Sequence, residues 1–527
     1  MKKLKGSIAL ITALSMSLPL LGLTSCSDLP RRPSEEEEEE EETSEDTSED
    51  TEETTETEVS EPSEVSETTL ETTETSTSEP SQTAAAAQDG EVRYLDDVLY
   101  EYNGDYVNIA EEYLNVTDEE TRDEIYYTAL RLSPDSMASY PALKAAIDDL
   151  NEDLYLTAKS RVSDGQAYCY GEFCMRRSDE HFLSFVLSPG SDGEFVTRNW
   201  FTDSGEEVAL EDIFVDPDEV LSAYGIPGES GFVVEPCGVT FLVADDEGYD
   251  YETVLYKGNE DLFTDRFVPM EDDWIMDLSD INNEDYIIDI GNDGTPDEVG
   301  LEAEFDQYGM IEDIEVEVNG SETEPDEDYI YGYGISARLV AHDSSYYMFV
   351  ELISDNDYVV TYLFEIKADS AVYMGEYFEA LTGLPVETSN EYIGDWAPLP
   401  YKISSCYPSD PNQMFFYERV HMLSTYDLIN PAYFGPDGSF NVDESGFGYA
   451  SGCHVLTALQ EVDGVAQNVP EGAEVMIVGA NKNNGQIALW DLETGDIYYV
   501  EFDNSDWPYT VAGSSEEDAF SGMMYGG

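Results

Sequence analysis

The chain has 527 residues, with 118 Asp or Glu against 21 Lys or Arg, for a formal net charge of −97. Nucleic-acid binding is excluded, because neutralising phosphates requires clustered Lys and Arg. The same charge favours solubility and a monomeric state, and leaves cations, basic proteins or neutral glycans as compatible partners.

At the N-terminus, Lys2, Lys3 and Lys5 precede an apolar stretch over 8–21 that is interrupted by hydroxyl residues and Pro19. This stretch is short for a membrane span, which takes about 20 apolar residues. It fits a signal peptide over 1–25. The next residues, Leu23-Thr24-Ser25-Cys26, resemble the lipobox of bacterial lipoproteins. The resemblance implies cleavage before Cys26, diacylation of its thiol, and anchoring on the extracellular face of the cell membrane of a Gram-positive type bacterium. Two acyl chains, at about 0.8 kcal/mol per buried methylene, anchor where one is only marginal.

Residues 26–92 carry the lipidated Cys and an acidic linker of Glu, Ser, Thr and Pro, including an unbroken glutamate run over 35–42. Such a segment buries too little apolar surface to offset the entropy of ordering, so a disordered, charge-extended stalk is expected. Ser27 to Val92 holds 25 acidic and two basic residues, and the chain from Arg93 onward still carries −77.

The body begins as an expected α+β domain over 93–280. Ile109, Tyr113, Ile125, Tyr126, Ala129 and Leu130 recur at roughly helical spacing over 106–132, with a break near 116–118. A second helix is predicted from Pro141, because proline fits the first helical turn. It places Leu143, Ile147, Leu150 and Leu154 on one stripe. Strands are then predicted at 182–187, 195–201, 232–234 and 239–243, with turns at 189–193 and 203–205.

The order of features over about 140–263 resembles an extracellular module shared by lysozyme-sensing anti-sigma factors and peptidoglycan deacetylase lipoproteins. The resemblance rests on Tyr140-Pro141-x-Leu143 with Asn151, on Arg177-Ser178-Asp179, and on the run from Phe201-Thr202-Asp203-Ser204-Gly205 to Ile213-Phe214. Gly238-Val239-Thr240-Phe241 and Asp261-Leu262-Phe263 follow in the same order. Glu206 stands where that family has a Lys. The resemblance implies a module that binds rather than catalyses, and it transfers no contact residue.

Residues 281–400 are expected to form a β-rich domain, with strands at 314–318, 335–340, 346–352 and 359–366. Asp289-Ile290-Gly291-Asn292-Asp293-Gly294-Thr295-Pro296-Asp297 resembles a calcium loop, with Asp289, Asp293 and Asp297 as ligands to Ca2+. Gly291 occupies a position that usually holds a carboxylate. The other reading of these residues is a plain Asn-Asp-Gly turn. Residues 401–527 are expected to be β-rich, and the last sixty or so resemble an SH3-like barrel of the bacterial surface type.

Setting Cys26 aside, five cysteines remain, an odd number that cannot all pair within one chain. Cys169 with Cys174 and Cys406 with Cys453 are the candidate disulfides. No catalytic constellation stands out, so the expectation is a non-catalytic surface lipoprotein. Its module would bind a wall-associated ligand, such as peptidoglycan, or a basic protein such as lysozyme. The alternatives are a structural or assembly component and a cell-wall glycan hydrolase, which would need two carboxyl groups about 5–9.5 Å apart across a cleft.

Overall fold

The computed structural model describes residues 102–525, except 118–123, 164–171, 189–194, 245–248, 281–284, 327–329, 331, 355–357, 389–401, 452–453 and 506. The leader, Cys26, the acidic linker and the turn expected at 189–193 lie outside the described residues, as do Cys169 and Cys453. The described chain is mostly β, every strand pair in it is antiparallel, and the described residues fall in one compact unit. No helix among them is long and apolar enough to cross a membrane.

The first element is not helical. Ile109–Thr117 (β1) and Glu124–Leu132 (β2) form a hairpin, with Ile109 opposite Leu132 and Thr117 opposite Glu124. The four-residue spacing that suggested a helix is also a multiple of the strand period of two, so it cannot separate the two. The residue types decide it. Ile125, Tyr126, Tyr127 and Thr128 are β-branched or aromatic and favour a pleated, half-buried surface.

Pro134–Ser139 (α1) follows, with Ser133 accepting a capping bond from the Ser136 amide at 3.1 Å. Pro141–Ser163 (α2) is the predicted helix, and Leu143, Ile147 and Leu150 bury the expected stripe. Asn151 ties it to β2, accepting from the Leu130 amide at 3.0 Å and donating to the Leu130 carbonyl at 2.8 Å. These backbone groups would otherwise lack partners at a sheet edge.

Glu172–Ser178 (β3), Phe182–Ser188 (β4) and Val196–Phe201 (β5) form a three-stranded meander. Two short helices, Leu210–Ile213 (α3) and Pro217–Tyr224 (α4), lead to a second meander of Gly231–Val234 (β6), Gly238–Ala244 (β7) and Tyr249–Leu255 (β8). Phe182, Phe201, Phe214, Phe241, Phe263 and Phe267 fill the core between the two meanders.

A β-sandwich comes next. Trp274–Asp277 (β9) is separated in sequence from its sheet by Asp285–Ile288 (β10), Asp297–Phe305 (β11), Ile311–Val318 (β12) and Ser321–Thr323 (β13), which form the opposing four-stranded layer. Gly334–His342 (β14), Ser345–Ile353 (β15), Val359–Lys367 (β16) and Ser370–Tyr377 (β17) complete the five-stranded layer, in the order β17-β16-β15-β14-β9. Val299, Leu301, Ile314 and Val316 from one layer meet Leu339, Met348, Val350 and Phe364 from the other.

The outer face of the five-stranded layer is also covered. Val340, Phe349 and Leu363 pack on Met414, Phe416 and Phe440 of a large sheet that begins at Ala380–Thr382 and runs to the C-terminus. The C-terminal strands Glu474–Asn481, Gln486–Asp491 and Ile497–Asp503 belong to this same sheet.

Candidate functional site

Two concentrations of charge are built by the fold, one buried and one exposed. The buried one begins with consecutive arginines on β3. A register shift between Met175 and Arg177 in the β3–β4 pairing re-aims the side chains there, as bulges do. Arg176 and Arg177 are both almost completely buried.

Arg176 Nη2 donates to Asp280 Oδ1 at 2.5 Å, its Nε lies 3.4 Å from Glu235 Oε1, and its guanidinium carbon lies 5.5 Å from the centre of the Tyr286 ring. Thr240 Oγ1 donates to Glu235 Oε2 at 2.8 Å, and the Tyr286 hydroxyl donates to Glu235 Oε1. Burial pushes the Glu235 carboxyl up, against the pull of Arg176 and of these two hydrogen bonds. Arg177 Nε donates to Asp179 Oδ2 at 2.7 Å, and its Nη2 reaches the Val268 carbonyl at 2.7 Å. The other Asp179 oxygen accepts from the amides of His181 and Phe182 at 2.7 and 2.8 Å, closing the β3–β4 turn. Arg176 Nε and Nη1 are buried without a hydrogen-bond partner, and the pairings the network does make interlock the meanders with the sandwich.

Of the three predicted calcium ligands, Asp289 and Asp293 lie in the β10–β11 turn and Asp297 is the first residue of β11. Asp289 accepts from the amides of Asp293 and Gly294 at 2.8 and 3.0 Å. Asp293 accepts from the Thr295 amide at 2.8 Å. Asp297 accepts from the Ile290 amide at 2.9 Å and from Asn319 Nδ2 at 2.8 Å. The carboxylates therefore organise the turn itself, with Asn292, Gly291 and Gly294 at positive φ as the Asn-Asp-Gly sequence favours. Among the described residues, the acidic trios whose oxygens gather within 4.8 Å are Asp313, Glu315, Glu324 and Glu379, Glu418, Glu444. In the second trio, Lys482 bonds Glu418 and Glu444 at 2.6 and 2.9 Å.

Of the disulfide candidates, Cys174 on β3 and Cys406 are buried, while Cys169 and Cys453 are outside the described residues. Burial, reinforced by Glu235, pushes the Cys237 thiol up to about 12, which keeps it protonated and unreactive at neutral pH.

The exposed concentration is the outer face of the β10–β13 sheet. Inward residues alternate with acids: Glu302 and Glu304 on β11 are exposed, and Asp313, Glu315 and Glu317 on β12 are partly exposed. The pairing sets like charges directly opposite each other, Glu302 across from Glu315, Glu304 across from Asp313, and Glu317 across from Glu322. Partial burial, and then the charges of Glu322, Glu324, Asp313 and Glu302, push the Glu315 carboxyl up. The chain has no Lys or Arg between Arg266 and Arg338. Sequence reasoning passed over this face, although the Glu-apolar alternation of β12 and the absence of basic residues were both legible.

Comparison with family models, with curated proteins and with solved structures gives no match to this chain.

Proposed function

We propose that this chain is a lipid-anchored surface protein that binds a basic, wall-associated protein, of which lysozyme is the type, without catalysing a reaction on it. The observation that carries the reading is the one-sign outer face of the β10–β13 sheet, set in a body that is acidic throughout. Opposite charge on a partner raises the association rate and orients the encounter. In this reading, acylated Cys26 holds the chain at the membrane, and residues 27–92 are the stalk that lifts the body toward the wall. Residues 93–280 are the α+β module that adds shape to the recognition. The order of Tyr140-Pro141, Arg177-Ser178-Asp179 and the Phe201–Gly205 turn supports placing that module with extracellular binding modules.

The test is equilibrium binding of the full chain to lysozyme and to purified peptidoglycan at 50, 150 and 500 mM NaCl, with a neutral protein of similar size alongside. Saturable lysozyme binding that weakens with salt yet survives at 150 mM is the expected result. Binding no tighter than that of the neutral protein at every salt concentration removes the reading.

A further inference from the structure

We propose that residues 522–525 form a strap that latches the tip of the hairpin made by Met414–His421 and Thr425–Phe434, and that strap, tip and the sandwich rim at Tyr358 open and close as one local unit while the rest of the protein stays folded. This is a conformational device of the fold and does not rest on the binding function proposed above.

The first argument is the tip itself. A hairpin tip ordinarily faces water, as Asp343 and Ser344 do between β14 and β15. Here Met422, Leu423 and Ser424 are at most 2 % exposed. Leu423 also has φ +65°, whereas the other described non-glycine residues at positive φ are Asp, Asn, Ser and Ala, all with short side chains. For a leucine this region is a steric outlier. Such backbone persists only where the surroundings over-determine it.

Two sets of contacts do so. Leu423 is packed into the core of the large sheet with Val420, Tyr426 and Phe520. Over the tip lies the strap, whose start is fixed by the pairing of Phe520–Ser521 with Thr457 and Ala458. Ser424 Oγ donates to the Met524 carbonyl at 2.8 Å and accepts from the Met524 amide at 3.2 Å. The Thr425 amide donates to the same carbonyl at 2.9 Å.

The second argument is continuity. Thr425 Oγ1 lies 2.8 Å from His421 Nδ1, and His421 Nε2 lies 2.7 Å from the hydroxyl of Tyr358, which stands at the start of β16 on the sandwich. Thr425 is thus tied to the strap through its backbone and to the sandwich rim through its side chain. Ser424 and Met524 are 100 residues apart, and Tyr358 and His421 are 63 apart, so these bonds join segments that no local backbone holds together. A contiguous line of hydrogen bonds is a physical path by which one end biases the other. The strap's own grip is light, since Met523 is only partly buried against the core and Tyr525 is about half exposed. Segments with few buried contacts open more readily than core strands. Opening also relieves the strain at Leu423, which favours it further.

Hydrogen exchange of the full chain, followed by mass spectrometry over 422–425 and 522–525, tests the latch, with β14 and β15 as the internal reference. Ser424→Ala removes both bonds that the side chain makes to the strap, and is expected to speed exchange at least tenfold in both segments. Tyr358→Phe removes one hydroxyl from an exposed ring, and is expected to speed both at least threefold. In both variants β14 and β15 are expected to stay within twofold of the parent. Leu423→Gly and Leu423→Ala lose the same buried side chain, but only the alanine keeps the strain. The glycine variant is therefore expected to exchange more slowly than the alanine variant in both segments, against the usual order of the two residues. Acceleration confined to one segment, or absent in Tyr358→Phe, overturns the shared unit. Equal acceleration of β14 and β15 shows a global loss of stability and overturns it as well. Faster exchange in Leu423→Gly than in Leu423→Ala overturns the strained latch.

Discussion

Glu379 lies at the crossover from the five-stranded layer to the large sheet, its carboxyl within 4.8 Å of those of Glu418 and Glu444. Burial, then those two charges, raise it from 4.5 to about 7, with Lys482 opposing. The folded protein thus holds a proton at Glu379 that the unfolded chain has released. The resulting stabilisation is complete below about pH 4.5 and is lost as pH rises through about 7. Glu379 is therefore expected to contribute a fall of about 1 kcal/mol between pH 6.5 and 8, a contribution that Glu379→Gln removes in urea titrations. His421 and His454, both pushed down from 6.5 by burial, take up protons in the unfolded chain over the lower part of this window and tilt stability the other way, so the Glu379 contribution is the difference in slope between the parent and Glu379→Gln. A second prediction concerns Asp289, whose carboxylate accepts from two backbone amides of its turn. Asp289→Ala is expected to cost about 1–2 kcal/mol in calcium-free buffer, since both donors lose their acceptor. For calcium to bind here, Asp289 and Asp297 must share oxygens already in use, so calcium is expected to raise Tm little. A rise of several degrees at submillimolar calcium would establish a metal site at Asp289, Asp293 and Asp297.

At the scale of elements, α2 was legible because two signals agreed: Pro141 at its start and the stripe of Leu143, Ile147 and Leu150. The strands of the sandwich were legible from their branched and aromatic runs, and β14, β15 and β16 fall where those runs predicted. The β1–β2 hairpin was not, because its apolar residues recur at a spacing common to both periods. Nor was the close approach of the β5–α3 turn to α2. Gly205 has φ +63°, and a Cβ there would lie 2.4 Å from the Ala142 carbonyl oxygen. Gly225, the left-handed cap of α4, has φ +74° with nothing within 4 Å of the same position. Both Ala substitutions carry the left-handed penalty of about 1–2 kcal/mol, and only Gly205→Ala adds a backbone clash. Thermal denaturation is expected to rank Gly205→Ala as the more damaging by at least 1 kcal/mol. Equal losses would mean that the turn retreats from the helix freely.

For the whole molecule, the Arg176 network decides how far the parts act together. Its members come from β3, the β6–β7 turn, β10 and the segment after β9. Arg176→Ala would leave Glu235 and Asp280 buried without their cation, and a loss of about 3–5 kcal/mol is expected. Arg176→Ala is also expected to split a single unfolding transition in two, because the interlock joins the meanders to the sandwich; one intact transition at lower Tm would show the layers coupled by apolar packing alone. The sequence by itself determined what is local or additive: the acidic charge, the composition of residues 26–92, α2, and the strands whose branched residues run unbroken. Only the tertiary structure decided which carboxylates share a face, which arginines lose all contact with water, and which turn presses on which helix. Those outcomes depend on strand register and on residues far apart in the chain. The alternation along β12 shows which of its acids share a face, but only the register decides that Glu315 lies opposite Glu302 and Asp313 opposite Glu304.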